Sequence, residues 1–119
     1  MKPLRFAIFG CGFWSQFQLG GWQELDGVEC VALYNRTLSK AQDLGKRFGV
    51  PSVYDDPEAL MQNEELDFID IITDVDTHAR FTALGARHGK DVICQKPMAP
   101  SFELAQEMME VTRTAGVRY

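Results

Sequence analysis

The sequence has few cysteines and no long apolar run. Its three cysteines, Cys11, Cys30 and Cys94, are an odd number without a Cys-x-x-Cys pair, which is typical of reduced thiols in a cytoplasmic protein and argues against a zinc site. No apolar stretch approaches the roughly 20 residues that cross a bilayer, and residues 6–9 are too short for the core of a signal peptide. We therefore expect a soluble, cytoplasmic protein with no metal site.

Basic charge is scarce, and one segment has none. The 119 residues contain 12 Lys and Arg against 17 Asp and Glu, a formal charge of −5. Residues 51–76 hold nine of these acids and no Lys or Arg, so 12 cations face eight acids in the remainder, a charge of +4. Nucleic-acid binding depends on a basic surface, so the composition argues against a DNA or RNA partner. We interpret the acidic segment as a solvated edge of the sheet that binds no ligand.

Apolar residues along the chain alternate between strand-like runs and helix-like spacing. The length of the chain fits one domain. Five runs predict strands: residues 4–9, 28–34, 52–54, 68–72 and 91–94. Helical spacing predicts apolar faces between and after them: Trp14, Phe17, Gly21 and Leu25; Ala41, Leu44 and Phe48; Ala79, Ala83 and Ala86; Leu104, Met108, Val111 and Ala115. Residues 117–119 resemble the start of a further strand. Because parallel strands need crossover connections, this alternation predicts an α/β protein with a doubly wound parallel sheet in three α/β/α layers.

A glycine-rich segment follows the first predicted strand. Residues 10–15, Gly-Cys-Gly-Phe-Trp-Ser, match the pattern Gly-x-Gly-x-x-Gly except at Ser15. The position between a strand and a helix favours dinucleotide binding, as in the Rossmann fold, over a merely tight turn. We predict that Gly10 permits the turn and that Gly12 lets the backbone approach a pyrophosphate at the helix N-terminus. Ser15 either loosens the packing of the helix on the sheet or contributes its hydroxyl to the phosphate.

The end of the second strand predicts which cofactor is bound. NAD-binding sites usually place an acid about 20 residues after the glycines, where it binds the ribose 2′-hydroxyl. This sequence has Asn35-Arg36-Thr37 there, with Lys40 one helical turn later. A guanidinium suits a 2′-phosphate because each charged hydrogen bond contributes about 1.5 to 3 kcal/mol. We predict NADP, with NAD as the alternative; Arg36 could otherwise be a solvated loop residue.

Polar residues also follow the fourth and fifth predicted strands. Thr73 and His78 follow the fourth, and Gln95-Lys96-Pro97 follows the fifth. With the glycines upstream and Gly89-Lys90 between them, these intervals resemble the N-terminal domain of the Gfo/Idh/MocA oxidoreductases over nearly all of residues 4–119. The resemblance implies hydride transfer between NAD or NADP and a sugar, polyol or related compound.

The resemblance assigns the family's lysine to Lys96, near the nicotinamide ribose and the reacting hydroxyl. It also implies cofactor contacts at Thr73 and Pro97 and a cis Lys96–Pro97 bond. Gln95 replaces the usual glutamate. A cation beside the reacting oxygen stabilises negative charge, and a neutral lysine accepts a proton, whereas the alternative for Lys96 is a solvated surface charge. His78 is either a proton carrier or a packed histidine with satisfied hydrogen bonds.

Two aromatic residues complete the predicted cofactor contacts. Phe13 and Trp14 lie in the glycine-rich loop, and Trp14 packs either on the cofactor or against another domain. The resemblance implies that residues 1–119 are the cofactor-binding domain. A C-terminal domain after Tyr119 would supply the remaining catalytic side chains and usually the oligomer interface. We expect this domain alone to be inactive, and the full-length enzyme to be a homo-oligomer that acts on a small-molecule substrate, with neither nucleic acid nor membrane as a partner.

Two other functions compete with the dehydrogenase. A non-catalytic NAD(P)-sensing regulatory subunit of the same fold stays open because of Gln95, since fold alone does not decide function. A methyltransferase is less favoured, because it would want an acid near Asn35 and has no need of residues 95–97.

Overall fold

Strands and helices alternate along the chain as predicted. The computed structural model describes residues 2–119. Its strands are β1 Leu4–Phe9, β2 Val28–Tyr34, β3 Ser52–Tyr54, β4 Phe68–Ile71 and β5 Asp91–Cys94. Its helices are α1 Ser15–Gln23, α2 Leu38–Phe48, α3 Pro57–Asn63, α4 His78–Arg87 and α5 Phe102–Ala115, with a 3-10 turn at Val75–Thr77. None of the helices in these residues is long and apolar enough to cross a bilayer.

The five strands form one parallel sheet in the order β3-β2-β1-β4-β5. Phe9 of β1 pairs with Tyr34 of β2 on one side and with Ile71 of β4 on the other. The carboxyl ends of the three central strands are therefore level. The chain reverses its winding direction between β1 and β4, which is where ligands bind in such sheets. The doubly wound parallel sheet is confirmed.

Helices cover both faces of the sheet. On one face, α1 and α2 pack on a cluster that includes Phe6, Ile8 and Leu33. On the other, α3 and α4 pack on a cluster that includes Phe9 and Ile71, and α5 packs on α4. The predicted three layers are confirmed.

The face of α1 that packs on the sheet is not the predicted one. Trp14, Phe17 and Leu25 are each 54% exposed. Leu19 is buried instead, and Trp22 packs against the cluster beneath the helix. Helical spacing identifies an apolar face, but apolar residues also occur on protein surfaces, so spacing alone does not decide which face is buried.

The predicted apolar face of α4 is shifted in the same way. Ala86 is buried, but Ala79 and Ala83 are only partly covered. The larger side chain of Phe81 fills the interface with the sheet, next to the fully buried Thr82. The size of the side chains, more than the spacing of the alanines, determines which residues of α4 pack on the sheet.

One acid of the segment 51–76 is fully buried, which corrects the interpretation of that segment. β3 does form an edge of the sheet. Asp70, however, lies in β4 between β1 and β5 and has no exposed surface. Composition alone could not separate this carboxyl from its exposed neighbours.

The last residues of the chain run beside β5. The carbonyl oxygen of Arg118 accepts a hydrogen bond from the Val92 N–H at 3.0 Å. The Arg118 N–H donates to the Asp91 carboxylate at 2.9 Å. Residues 117–119 form no strand, so the predicted further strand is represented only by these contacts.

Candidate dinucleotide-binding site

The loop after β1 requires glycine at position 10. Gly10 has a φ of +113°, which L side chains rarely adopt, and a Cβ atom there would lie 2.9 Å from the backbone of Ile72 and Thr73. Its N–H donates to the Tyr34 carbonyl at 2.8 Å. Gly10 therefore permits the turn, as the sequence predicts, and it also lets the loop pass close to the end of β4.

The second glycine leaves open space in front of the backbone. A Cβ atom at Gly12 would meet nothing within 4 Å. Within residues 2–119, the N–H groups of Gly12 and Phe13 donate to no acceptor. They lie just before the N-terminus of α1, where the helix dipole and free N–H groups favour an anion. The loop thus fits the pyrophosphate of a dinucleotide.

The Ser15 hydroxyl is used within the loop itself. It donates to the Gly12 carbonyl at 2.5 Å, and Ser15 is 1% exposed. The interpretation in which this hydroxyl binds phosphate is therefore not supported. Ser15 instead stabilises the turn that carries the free N–H groups.

Asn35 joins the loop after β1 to the loop after β2. Its Oδ1 accepts from the Cys11 N–H at 2.9 Å, and its Nδ2 donates to the Thr37 carbonyl at 3.0 Å. Its own N–H donates to the Tyr54 carbonyl at 3.1 Å. Arg36, the next residue, is exposed and forms no ion pair within residues 2–119. The end of β2 therefore presents an unpaired guanidinium.

A cleft of about 240 Å³ lies between the loop after β1 and α2. It brings together Gly12, Phe13 and Lys40, but not residues 35–37. Arg47, which is not among the residues predicted from the sequence, lines the same cleft and donates to the Gln16 amide oxygen at 3.1 Å. Lys40 and Arg47 are seven residues apart and so share a helix face, which is the signal that could have found it.

His78 joins the ends of β4 and β5. It is buried, with Nε2 2.9 Å from the Thr73 carbonyl oxygen and Nδ1 3.0 Å from that of Pro97. The Met98 carbonyl oxygen lies 3.3 Å from the same Nδ1. Each ring nitrogen thus lies within hydrogen-bond distance of a backbone carbonyl oxygen. These contacts favour the packed histidine and do not support a catalytic role for His78.

Lys96 lies at the carboxyl end of β5, on the same edge of the sheet as the glycine loop. Its side chain is exposed and makes no ion pair within residues 2–119. Its N–H donates to the Gln95 amide oxygen at 2.9 Å. The Lys96–Pro97 bond is cis, as the resemblance implied. Lys96 also lines a cleft of about 440 Å³ beside β5.

The thiol within the loop, Cys11, is not ionised at neutral pH. Burial raises the pKa of Cys11 to about 12, and its Sγ donates to the Tyr34 carbonyl at 3.5 Å. Because the thiolate is the nucleophilic form, Cys11 acts here as a small buried side chain.

Comparison with known proteins agrees with this geometry. Residues 4–119 match the Gfo/Idh/MocA family model, described as an oxidoreductase family with an NAD-binding Rossmann fold. The chain belongs to this family. The shared region is the NAD(P)-binding domain, as the glycine loop and the sheet order indicate.

Individual relatives extend well beyond the matched region. D-apiose dehydrogenase from Paraburkholderia graminis is 37% identical over 117 residues, which are 98% of this chain and 31% of that protein. An oxidoreductase from Agrobacterium radiobacter, solved with NAD+, L-tartaric acid and magnesium, is 32% identical with a TM-score of 0.94, over 98% of this chain and 34% of that one.

A second solved relative is associated with the other cofactor. It is a candidate NADPH-dependent oxidoreductase from Desulfitobacterium hafniense, 28% identical with a TM-score of 0.93 over 98% of this chain and 34% of that one. The chain thus spans about a third of the length of these family members. Both cofactors occur among the descriptions of its Gfo/Idh/MocA relatives.

Proposed function

We propose that this domain binds NADP(H) in preference to NAD(H) and serves an oxidoreductase that transfers hydride to or from a sugar, polyol or related carbonyl or hydroxyl compound. The observation that carries the cofactor preference is the exposed, unpaired guanidinium of Arg36 at the end of β2. An acid at this end of the strand would repel a 2′-phosphate, and none is present.

The residue in place of that acid, Asn35, already forms hydrogen bonds within the protein. The Asn35 side chain joins the Cys11 N–H to the Thr37 carbonyl through both ends of its amide. It is uncharged and held in place, so it neither repels a phosphate nor offers the paired acceptors of a carboxylate. Lys40, in the first turn of α2 and exposed, adds a second cation after the same strand.

The pyrophosphate and the reacting end of the cofactor would meet different residues. Gly12 and Phe13 supply free N–H groups for the pyrophosphate. When bound, the nicotinamide donates or accepts the hydride. Lys96 supplies the cation that stabilises negative charge on the substrate oxygen, and in its neutral form it accepts the hydroxyl proton. Thr73 follows β4 and Pro97 follows β5, and both would contact the cofactor.

The substrate class rests on the relatives. The name D-apiose dehydrogenase supports a sugar or a closely related polyol. The replacement of glutamate by Gln95 keeps the second candidate in view, a regulatory subunit that binds NAD(P) without turnover. A protein that carries this domain and binds NADPH, but shows no change in nicotinamide absorbance with a panel of sugars and polyols, would support that second candidate.

The cofactor preference is tested by calorimetric titration of residues 1–119 with NADPH and NADH. Loss of the charged hydrogen bonds of Arg36 in Arg36→Ala should weaken NADPH binding by about 10- to 150-fold and leave NADH binding nearly unchanged. Arg113→Ala is the matched control, because Arg113 is an exposed arginine on α5 that pairs, among residues 2–119, only with Glu110. Equal NADPH affinity in both variants would show that Arg36 does not bind the cofactor.

A further inference from the structure

A buried carboxyl lies under the helix that carries the cofactor loop. Asp70 is fully buried in β4. Its Oδ2 accepts two hydrogen bonds from α1, one from the Trp22 indole N–H at 2.7 Å and one from the Gln18 amide at 3.0 Å. Within residues 2–119, Oδ1 has no hydrogen-bond partner. Every polar contact of this carboxyl is therefore directed at one helix.

One of those contacts continues to the loop. The Gln18 Oε1 accepts from the Trp14 indole N–H at 3.2 Å while its Nε2 donates to Asp70. Trp14 is the residue just before α1, and its carbonyl accepts the N–H groups of Phe17 and Gln18 in the first turn. A continuous chain of hydrogen bonds thus runs from the interior of the sheet to the end of the glycine loop.

We propose that Asp70 is a positioning residue for the phosphate-binding loop, acting through Gln18 on the Trp14 indole. This proposal rests on the proposed function, since it concerns the same cofactor site. Trp22 fixes the body of α1 on β4, and Gln18 fixes its first turn.

The position of Asp70 in the sheet is energetically unfavourable for a carboxyl. Its neighbours across the strands are Ile8 and Ile93, and burying a polar group with an unused oxygen costs free energy. Burial raises the pKa of Asp70, and only the bonds from Trp22 and Gln18 act in the opposite direction by lowering it. An apolar residue would avoid that cost but could not accept either bond.

The network orients the backbone N–H groups of the glycine-rich loop. The free N–H groups of Gly12 and Phe13 bind an anion together only if both point to the same place. A loop held in that arrangement before binding loses less conformational freedom when the ligand arrives. Fixing the first turn of α1 therefore increases affinity for a pyrophosphate without any contact between Asp70 and the ligand.

The network can be observed through its two indole groups. Protein labelled with ¹⁵N in tryptophan gives one indole signal for Trp14 and one for Trp22, assigned with Trp14→Phe. In Gln18→Leu, the Trp14 indole signal should shift and exchange its proton faster, because its acceptor is lost. The Trp22 signal should shift less than that of Trp14, since Trp22 keeps its own bond to Asp70 Oδ2.

The same variants are then titrated with NADPH and with NADH. Gln18→Leu should weaken binding by about three- to tenfold, the equivalent of one hydrogen bond. Gln23→Leu is the matched control, a glutamine of the same helix whose amide donates to the Phe48 carbonyl at 2.8 Å outside the network. Asp70→Asn keeps an acceptor oxygen and should retain most of the affinity, whereas Asp70→Val should lose as much as Gln18→Leu.

The outcomes separate the two proposals. If Gln18→Leu matches Gln23→Leu in both nucleotide affinity and the Trp14 signal, the positioning role is overturned, even if Asp70→Val does not fold. If the unchanged protein binds neither nucleotide, the proposed function is overturned instead, whatever the indole signals show.

Discussion

The loops that follow β1 and β2 are held in place differently from the loops that follow β4 and β5. At the end of β1 and β2, the loops are held by their own residues: Gly10 bonds to Tyr34, and Asn35 bonds to Cys11. At the end of β4 and β5, two loops are held together by a side chain that belongs to neither strand end, His78 at the start of α4.

This difference separates a loop whose path is set by its own backbone conformation from loops whose path is set by a packed side chain of a helix. Where a glycine sets the path of its own loop, the backbone conformation follows from the residue type. Where a histidine joins carbonyls 19 or 20 residues away in the sequence, the loop conformation depends on the packing of a helix. Substitutions should therefore act differently at the two ends.

The largest effect is expected at Gly10. In Gly10→Ala, the methyl group meets backbone at 2.9 Å and the residue must keep a φ of +113°. Strain and overpacking together should lower the free energy of unfolding by about 2 to 4 kcal/mol, measured by urea denaturation. Gly12→Ala is the matched control, since its methyl group enters open space. It should unfold like the original protein but bind NADPH more weakly, and a stability loss equal to that of Gly10→Ala would contradict this account of the loop.

A smaller effect is expected at the other end. His78→Ala removes the buried imidazole that lies within hydrogen-bond distance of the Thr73 and Pro97 carbonyl oxygens, and this loss should cost about 2 kcal/mol in the same denaturation experiment. His88→Ala is the control, because His88 lies at the helix surface near Glu58 at 3.4 Å, and exposed ion pairs contribute only about 0 to 1 kcal/mol. Equal losses in the two variants would mean that His78 does not hold the β4 and β5 ends together.

The smallest effect concerns the pH dependence of stability and Asp70, the buried carboxyl of β4. Burial raises the pKa of Asp70 in the folded state, so the folded protein binds this proton more tightly than the unfolded chain. Its contribution to stability is complete below the ordinary carboxyl pKa and is lost as the pH rises through the folded-state pKa. The stability advantage of the original protein over Asp70→Asn should thus shrink as the pH rises above the ordinary carboxyl pKa of about 4, measured by urea denaturation at each pH. Asp26→Asn, at an exposed turn position, controls for loss of one carboxyl, and a constant difference for Asp70→Asn would refute the assignment.

The sequence predicted the parts of the site that depend on local residues. The strands, the turn at Gly10 and the free N–H groups near Gly12 follow from apolar runs and glycine spacing. The buried face of α1 was predicted wrongly, because Trp14 and Phe17 are apolar but exposed. Periodicity records which residues share a face and carries no information about what covers that face.

Long-range contacts account for the rest. The burial of Asp70 and the hydrogen bonds of His78 both depend on elements that are distant in the sequence and adjacent in the sheet. The acidic composition of residues 51–76 instead favoured a solvated position for Asp70. Only the strand order, which places β4 between β1 and β5, brings this carboxyl under α1.

The hydrogen bond between Val92 and Arg118 has a consequence for handling the protein. β5 is the last strand of the sheet, and the Arg118 carbonyl occupies one of its outward N–H groups. An uncovered apolar edge strand is a template on which another chain can add a strand and start aggregation. Trimming residues 117–119, or attaching a tag that pulls them away, would expose the backbone beside Val92 and Ile93 and so reduce the solubility of the protein in storage.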